Sequence, residues 1–405
     1  MANGSNLEET DYSKYEILKW EVIPIREIIE AVQTEAEELK TLRLSPGTRW
    51  EVTSGIKPID LYVYLKARFG EPNGIMMLTK DHEDSDNMIH WHYSLRAESG
   101  RIDFLCWTFR LEIWHTLDVV AIDANELLSE IKRDFGRMAQ SMKSIRQGLE
   151  KWKMFLNPYF RLKTMVESQL QELEDLELET ISEPQQPRTP QEADTFNEAF
   201  TEAERKYTRA AQLCLNVRML APVWAESFIN LLLFILVRSD VRKDNRLYSS
   251  FVRQNIDVRI RGLHLHCVGF ASHIPYDEWD ICKEFHTMIN GRNDMLHGNV
   301  DPELTTFHEL YFENKTPLFI EYKDFAFFSY KASFLNATPE QALKDYQIVQ
   351  DLTAHILLCL SEQLREDVFT LLFARHLGWD EGRQRVGILF PDHMSDAVFS
   401  YTTSN

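Results

Sequence analysis

Apolar and polar residues alternate along the first third of the chain, between about residues 48 and 120. The clearest run places four apolar residues on one face and three polar residues on the other: Ile89, Trp91, Tyr93 and Leu95 alternate with His90, His92 and Ser94. A period of two is typical of a half-buried strand, here with its imidazoles on an exposed face. Residues 98–100 supply a turn. We predict a small α/β domain over residues 1–125, an antiparallel meander preceded by a helix at about 14–40.

From Leu128 onward the apolar period changes to seven. Nine apolar residues occupy successive a and d positions: Leu128, Ile131, Phe135, Met138, Met142, Ile145, Leu149, Trp152 and Leu156. This pattern predicts a long helix, and the proline after Asn157 should break or kink it. A stripe with this period fits either a coiled coil with a second copy or packing within the chain, and both alternatives stay open. We assign residues 126–180 to the long helix and a helical extension that follows it.

A tract rich in proline and glutamine at residues 183–190 predicts a domain boundary, and we place a linker at 181–195. Beyond it, helical periodicity recurs in four segments: 193–219, 222–238, 277–297 and 338–365. We therefore predict an all-α domain over residues 196–365, a four-helix bundle with a β-hairpin inserted at about 318–330. Residues 366–405 form a C-terminal extension with a short helix and a strand at 386–389. The fold class is an α+β multidomain protein.

Composition favours a globular chain that stays inside the cell. Of 405 residues, 44% are hydrophobic and 12% aromatic, enough for two or three packed cores. The first residues lack a basic flank and an apolar stretch, so no secretory signal is expected. The longest apolar run, residues 228–237, is about half the roughly 20 residues of a membrane span. Five scattered cysteines without a C-x-x-C spacing predict free thiols in the cytoplasm.

The formal net charge of −19 opposes a general role in binding nucleic acid. Positive charge is concentrated in one stretch, residues 238–261, with seven basic and three acidic residues. If the protein handles RNA, we expect contacts from the first part of this stretch: Arg238, Arg242, Lys243 and Arg246. A solvated basic surface without a ligand is the alternative.

Most familiar catalytic motifs are absent, including phosphate loops, dinucleotide-binding loops, nucleophile elbows and zinc-protease helices. Two groups of histidines, near residues 90–92 and 264–286, match no zinc spacing that we can justify. We predict no metal site and no cofactor, and a metal-dependent hydrolase is a minor alternative.

One polar constellation remains, at the end of the helix predicted over 277–297. Asn293 lies four residues before His297 and shares its face, while the long side chain of Arg292 can reach the same place. Gly298 is suited to end the helix in a left-handed turn. A base, an amide and a cation can therefore converge on one substrate.

The motif R-N-x-x-x-H-G, formed by residues 292–298 at the end of a helix in a four-helix domain, resembles the signature of the HEPN superfamily, which includes many ribonucleases. The resemblance covers roughly residues 195–365. It implies accessory polar residues at Glu226 and Asn230, and His286 lies close enough to the same helical stripe to border the cleft. No nucleotidyltransferase motif, which often accompanies HEPN proteins, occurs in this chain.

The resemblance implies cleavage of RNA without a metal, in which the ribose 2′-OH attacks the neighbouring phosphate and leaves 2′,3′-cyclic phosphate and 5′-OH ends. His297 would be the general base or acid, Arg292 would stabilise the phosphorane and Asn293 would complete the site. It further implies a homodimer through the HEPN-like domain and a setting in toxin or antiviral defence, with a separate regulatory or antitoxin chain as a candidate partner. The alternative is a non-catalytic module that dimerises or binds a partner.

Overall fold

The computed structural model describes residues 14–30, 48–81, 89–118, 123–181, 187–298, 306–320, 330–335 and 337–390. The chain divides into an N-terminal unit that extends to Lys151 and a C-terminal unit that begins at Trp152. This boundary precedes the predicted linker at 181–195, whose last residues belong to a helix that begins at Pro190. The α+β class is confirmed: helices predominate, and the sheets are small and antiparallel.

The N-terminal unit is built on a five-stranded sheet in the order β1-β3-β4-β5-β2. Its strands are β1 (Glu21–Val22), β2 (Thr48–Val52), β3 (Ile89–Ala97), β4 (Gly100–Trp107) and β5 (Leu111–His115). All neighbouring strands are antiparallel. The consecutive strands β3, β4 and β5 form a meander as predicted, whereas β1 and β2 join its two edges out of chain order. The helix predicted at 14–40 is wrong in its first part, because residues 17–19 form a 3-10 turn and Glu21–Val22 a strand, and only residues 25–30 of the described part are helical.

Helices α1 (Pro58–Phe69) and α2 (Ala124–Gln147) pack together, and their buried apolar residues share a core with one face of this sheet. Tyr64 of α1 donates a hydrogen bond of 2.8 Å to Asp134 of α2. The first five a and d residues of the predicted heptad, Leu128 to Met142, contribute to the core of the same unit. The intramolecular alternative therefore accounts for this part of the stripe.

The last part of the heptad prediction was wrong. Helix α2 ends at Gln147, and strand β6 (Trp152–Leu156) begins the C-terminal unit. Trp152 and Leu156 are four residues apart, a spacing that fits a heptad step and equally places two side chains on one face of a strand. The pattern could not distinguish the two structures.

The polar face of the sheet is buried at His92, contrary to the expectation of exposed imidazoles, while His90 is half-buried. His92 is 4% exposed, and its Nε2 lies 3.0 Å from Asp103 Oδ1. The amide of Met76 faces His92 Nδ1 at 3.4 Å, so Nε2 carries the proton that is donated to Asp103. Burial opposes ionisation of Asp103, but hydrogen bonds from His92 and Arg101 outweigh it and lower the pKa of that carboxyl.

Gly74 explains how this face is covered. The loop around Gly74 crosses His92 so closely that a Cβ at this position would lie 2.1 Å from the imidazole ring. The Gly74 amide also donates a 2.9 Å hydrogen bond to the His92 carbonyl. The histidine is therefore a structural element of the sheet rather than a surface group.

We expect His115 to make the N-terminal unit sensitive to acid. The side chain is 5% exposed, its ring lies 4.3 Å from that of Trp50, and neither ring nitrogen has a hydrogen-bond partner in the described structure. Burial lowers the pKa of His115. As pH falls through about 6.5, His115 becomes protonated in the unfolded chain but not in the folded chain. The free energy of unfolding therefore falls, by at most about 1.4 kcal/mol for each pH unit.

Hydrogen exchange of the β4 and β5 amides, measured by mass spectrometry at pH 7.5 and 5.5 and corrected for intrinsic rates, tests this prediction. Wild type should show a smaller opening free energy at the lower pH, and His115→Leu should show less of this difference. An equal pH dependence in both proteins would contradict the assignment to His115.

The C-terminal unit contains four packed helices: α3 (Pro158–Asp175), α4 (Pro190–Leu236), α8 (Asp280–His297) and α9 (Pro339–Leu358). Helix α4 has 47 residues and contacts each of the other three. Three short helices connect α4 to α8: α5 (Ser239–Lys243), α6 (Asn245–Val252) and α7 (Ile256–His266). The unit ends with α10 (Glu362–Phe373) and strands β9 (His376–Asp380) and β10 (Arg385–Gly387).

The prediction of two helices meeting at Pro222 was wrong, because α4 runs through this residue without a break. Proline removes one backbone hydrogen bond and crowds the preceding turn. Here Ala221, Trp224 and Ala225 are at most 1% exposed, so tertiary packing holds both sides of the proline in one helix.

An 18-residue stretch of α4 is long and apolar enough to cross a membrane. However, 61% of this stretch is buried inside the fold, as in the core helix of a soluble protein.

Asn157 joins the start of α3 to the end of α10. Its Oδ1 caps α3 by accepting hydrogen bonds from the amides of Tyr159 and Phe160. Its Nδ2, which has two hydrogens to donate, lies 2.8–3.1 Å from three carbonyl oxygens, those of Leu371, Leu372 and Ala374. The adjoining strand β6 pairs with β9 in a three-stranded sheet in the order β10-β9-β6.

The insertion contains a hairpin, but at residues 310–319 and with a strand pairing different from the one predicted over 318–330. Strands β7 (Leu310–Glu313) and β8 (Thr316–Phe319) flank a two-residue turn at Asn314 and Lys315, both with positive φ. The second predicted strand, at 326–330, lies outside the described residues except for Tyr330. The predicted helix over 338–365 ends at Leu358, and α10 follows it.

Candidate functional site

Helix α8 carries the predicted motif on its last two turns. Its apolar residues Cys282, Phe285 and Met288 are buried at helical spacing against the bundle core. Gly298 ends the helix in the left-handed region, with φ of 59°, and its amide faces the carbonyls of Asp294 and Met295. The structure agrees with the predicted role of Gly298 as the residue that ends this helix.

Arg292 and Asn293 are half-buried, and His297 is exposed. The Arg292 guanidinium donates a 2.8 Å hydrogen bond from Nη1 to Asn293 Oδ1. Asn293 and His297 are four residues apart and lie on the same side of the helix. The arrangement offers a cation held by a neighbouring amide and an accessible imidazole at the end of a helix.

Arg218 is a second cation near this motif, and sequence analysis did not select it. A Cβ at Gly291 would lie 3.4 Å from Arg218 Nη2, so the guanidinium passes against the turn that carries Arg292. Arg218 Nε donates a 3.0 Å hydrogen bond to Asp345 of α9. Burial raises the pKa of Asp345, although Arg218 opposes the shift. These residues are 127 positions apart, and no local pattern relates them.

The resemblance to HEPN proteins implied that Glu226 and Asn230 face the motif, but both contact a residue outside it. Both accept hydrogen bonds from Arg259 of α7, at 2.6 Å in the case of Asn230 Oδ1. Arg259 is only 5% exposed, so it belongs to the interior rather than to the basic surface in which we counted it. In the described residues, Glu226 and Asn230 stabilise the packing of α7 on α4, and no contact joins them to His297.

His286 lies on α8 with an exposed side chain. It precedes His297 by 11 residues, which is about 16 Å along the helix axis. This separation places His286 away from the end of the helix where the motif lies.

The predicted RNA-binding residues lie just beyond the C-terminal end of α4, whereas the motif lies beside the middle of this helix. Arg218, beside the motif, and Leu236, where α4 ends, are 18 residues apart, about 27 Å along the axis. Arg238 pairs with Asp240, and Arg242 is half-buried over the neighbouring rings of Phe234 and Trp379.

Lys243 and Arg246 are exposed. Only part of the predicted basic surface therefore faces solvent, and within one chain it does not border the motif.

Free cysteines are confirmed, since all five are unpaired and buried. Burial raises the pKa of Cys282, which lies on α8, to about 11, and this thiol is therefore a poor nucleophile. No group of three or more potential metal ligands occurs among the described residues. His264 and His273 are neighbours, with ring centres 6.2 Å apart, but they do not form such a group.

Comparisons were made with protein-family models, with curated proteins and with solved structures. None of the three comparisons finds a match for this chain, so the resemblance to HEPN proteins depends on the residues of α8 and their setting.

Proposed function

We propose that this protein is a metal-independent endoribonuclease of the HEPN type. The observation that carries the proposal is the end of α8, where Arg292 is held by Asn293 and His297 is exposed one turn further on. An imidazole is suited to transfer protons near neutral pH, and a guanidinium is suited to bind the oxygens of a phosphate. Together they supply the groups that transfer of phosphate to a ribose 2′-OH requires.

In the proposed reaction, His297 removes the proton of the 2′-OH or protonates the leaving 5′ oxygen. The 2′ oxygen forms a bond to phosphorus, the bond from phosphorus to the 5′ oxygen breaks, and the products carry 2′,3′-cyclic phosphate and 5′-OH ends. Arg292 stabilises the additional negative charge of the phosphorane. The hydrogen bond to Asn293 fixes the direction of the Arg292 side chain and so reduces the entropy lost on binding.

One histidine cannot easily serve as base and acid in the same step. We therefore propose a homodimer through the HEPN-like domain, in which each chain contributes one His297. The net charge of −19 requires a local source of positive potential. Arg292 supplies it, and the proposed dimer would contribute two copies of this residue, whereas Arg218 nearby forms an ion pair with Asp345.

The proposed setting is a cytoplasmic effector of toxin or antiviral defence type, regulated by a separate chain. The N-terminal unit would control the activity or select the RNA. This part of the proposal depends on the family resemblance alone.

A non-catalytic binding module is the second candidate function. Two observations favour it: Glu226 and Asn230 are occupied by Arg259, and a hairpin of exposed apolar residues lies at 310–319. In this case the bundle would dimerise or hold a partner, and Arg292 would have no substrate.

Incubation of the wild type with end-labelled total RNA in excess EDTA tests the proposal. We expect new fragments whose 5′ ends accept phosphate from a polynucleotide kinase and whose 3′ ends resist ligation until the cyclic phosphate is opened and the remaining phosphate is removed. Fragments that appear only with added Mg²⁺, or that carry 3′-OH ends, would contradict the proposed chemistry. RNA that crosslinks to the protein but is not cut would favour the binding module.

A further inference from the structure

The hairpin of β7 and β8 is exposed along its whole length. All eight strand residues are exposed, including Phe312 at 66% and Phe319 at 53%. A two-stranded hairpin is at best marginally stable in water without a packed face. This segment therefore needs a surface that the described part of the chain does not provide.

One face of the hairpin consists of apolar residues alone. Leu310 pairs with Phe319 and Phe312 pairs with Pro317, and directly opposed residues in antiparallel strands project to the same side. We call these four residues the apolar hairpin face. The other side carries Tyr311 and Leu318 but also Glu313 and Thr316, so it is mixed in polarity.

The apolar area exposed around the hairpin is larger than a monomer usually leaves uncovered. Seven large apolar side chains expose between 43% and 66% of their surface: Phe307, Leu310, Tyr311, Phe312, Leu318, Phe319 and Ile320. At about 200 Å² for each side chain, roughly 700 Å² is exposed on the two sides and flanks together, and roughly 300 Å² of it belongs to the apolar hairpin face. A monomer rarely exposes an apolar patch larger than a few hundred Å², and this face would supply the apolar centre of a standard interface, which buries about 800 Å² on each partner.

We propose that the apolar hairpin face packs against the same face of a second copy of this chain. The face carries no charge, so two acidic chains can approach there with the least repulsion. Pro317 removes a backbone donor from β8, which disfavours pairing along that edge and favours stacking of one face on the other. A two-fold arrangement is closed, so the apolar surface is buried without growth into a filament.

Charge at the two ends of the hairpin agrees with this arrangement. Lys315 lies in the turn, and Glu309 immediately precedes β7 at the base. A two-fold axis that lies between the two stacked faces, perpendicular to the strands, lays each turn over the other base and brings Lys315 towards Glu309 of the partner subunit. Insertion into a membrane is disfavoured, because the turn that would enter first carries Glu313 and Lys315.

This inference does not depend on ribonuclease activity, since a binding module with the same hairpin would also dimerise. Sedimentation equilibrium of the full chain provides the test. We expect a dimer for the wild type at about 50 µM, and a dissociation constant raised about 100-fold or more in Phe312→Glu, which places a charge in the interface. The matched control, Phe109→Glu, changes a residue that is 70% exposed in the N-terminal unit and should dimerise as the wild type does.

A crosslinking experiment supports the assignment without a charged substitution. Because the five native cysteines are buried, Phe312→Cys introduces an accessible thiol. A short bismaleimide should convert this variant to covalent dimers and leave Phe109→Cys monomeric. A monomeric wild type at about 50 µM, or an unweakened Phe312→Glu dimer together with no crosslink at position 312, would overturn the proposal.

Discussion

Replacement of His297 by alanine is expected to reduce the rate of RNA cleavage by about 10²–10⁴-fold. The substitution removes the only histidine of the motif, while Arg292 and Asn293 retain their 2.8 Å hydrogen bond. His297 is exposed at the end of α8, and its loss leaves no cavity in the core. The folded structure and the melting temperature should therefore be unchanged, and the effect should appear in the rate of the chemical step.

His286→Ala is the matched control, because it removes an exposed histidine from the same helix about 16 Å away. Single-turnover cleavage with excess protein separates the chemical step from RNA binding. If both alanine variants cut RNA at the wild-type rate, His297 is not the catalytic residue. If both lose activity equally, the effect reflects α8 as a whole rather than the proposed site.

The largest effect on stability is expected from Asn157→Ala. This substitution removes the N-cap of α3, which costs about 1 kcal/mol. It also leaves the carbonyls of Leu371, Leu372 and Ala374 without the Asn157 amide, and unsatisfied buried groups cost about 1–3 kcal/mol. Because Asn157 is fully buried, water does not easily replace it, and we expect a total loss of about 2–4 kcal/mol in the free energy of unfolding.

Two further variants separate the contributions of Asn157. Asn157→Asp keeps an oxygen that can cap α3 but replaces the donor by a carboxylate facing three carbonyls, so it should also be strongly destabilised. Thr338→Ala removes an ordinary capping box from α9 and should cost only about 1 kcal/mol. Urea denaturation of the three variants measures the differences. An Asn157→Ala loss no larger than that of Thr338→Ala would show that the contacts to the end of α10 are unimportant.

Local periodicity was sufficient to predict much of the fold. The alternation from Ile89 to Leu95 gave a strand, and the apolar stripe from Leu128 to Met142 gave a helix that packs on its own unit. The errors occurred where two structures share one spacing or where tertiary packing overrides a local rule. Trp152 and Leu156 illustrate the first case, and Pro222 illustrates the second.

The candidate site was predictable in its local part only. The position of His297 one residue before Gly298 follows from helix-ending rules, and the structure agrees with it. The contacts of Arg218 with Asp345, and of Arg259 with Glu226, connect residues far apart in sequence. A single sequence contains no periodic signal for such pairs, so Arg259 was assigned to a basic surface although it is buried.

The boundary between the two units, at Lys151 and Trp152, determines which fragment should be used to study the C-terminal unit by itself. A fragment that begins after the tract rich in proline and glutamine would lack β6 and α3, and with them the strand paired with β9 and the cap that holds α10. It would also expose Leu213 and Val217 of α4, which are buried in a cluster with Val166 of α3. Such a fragment would be prone to aggregation whatever its activity, whereas one that starts at Trp152 keeps the whole bundle together.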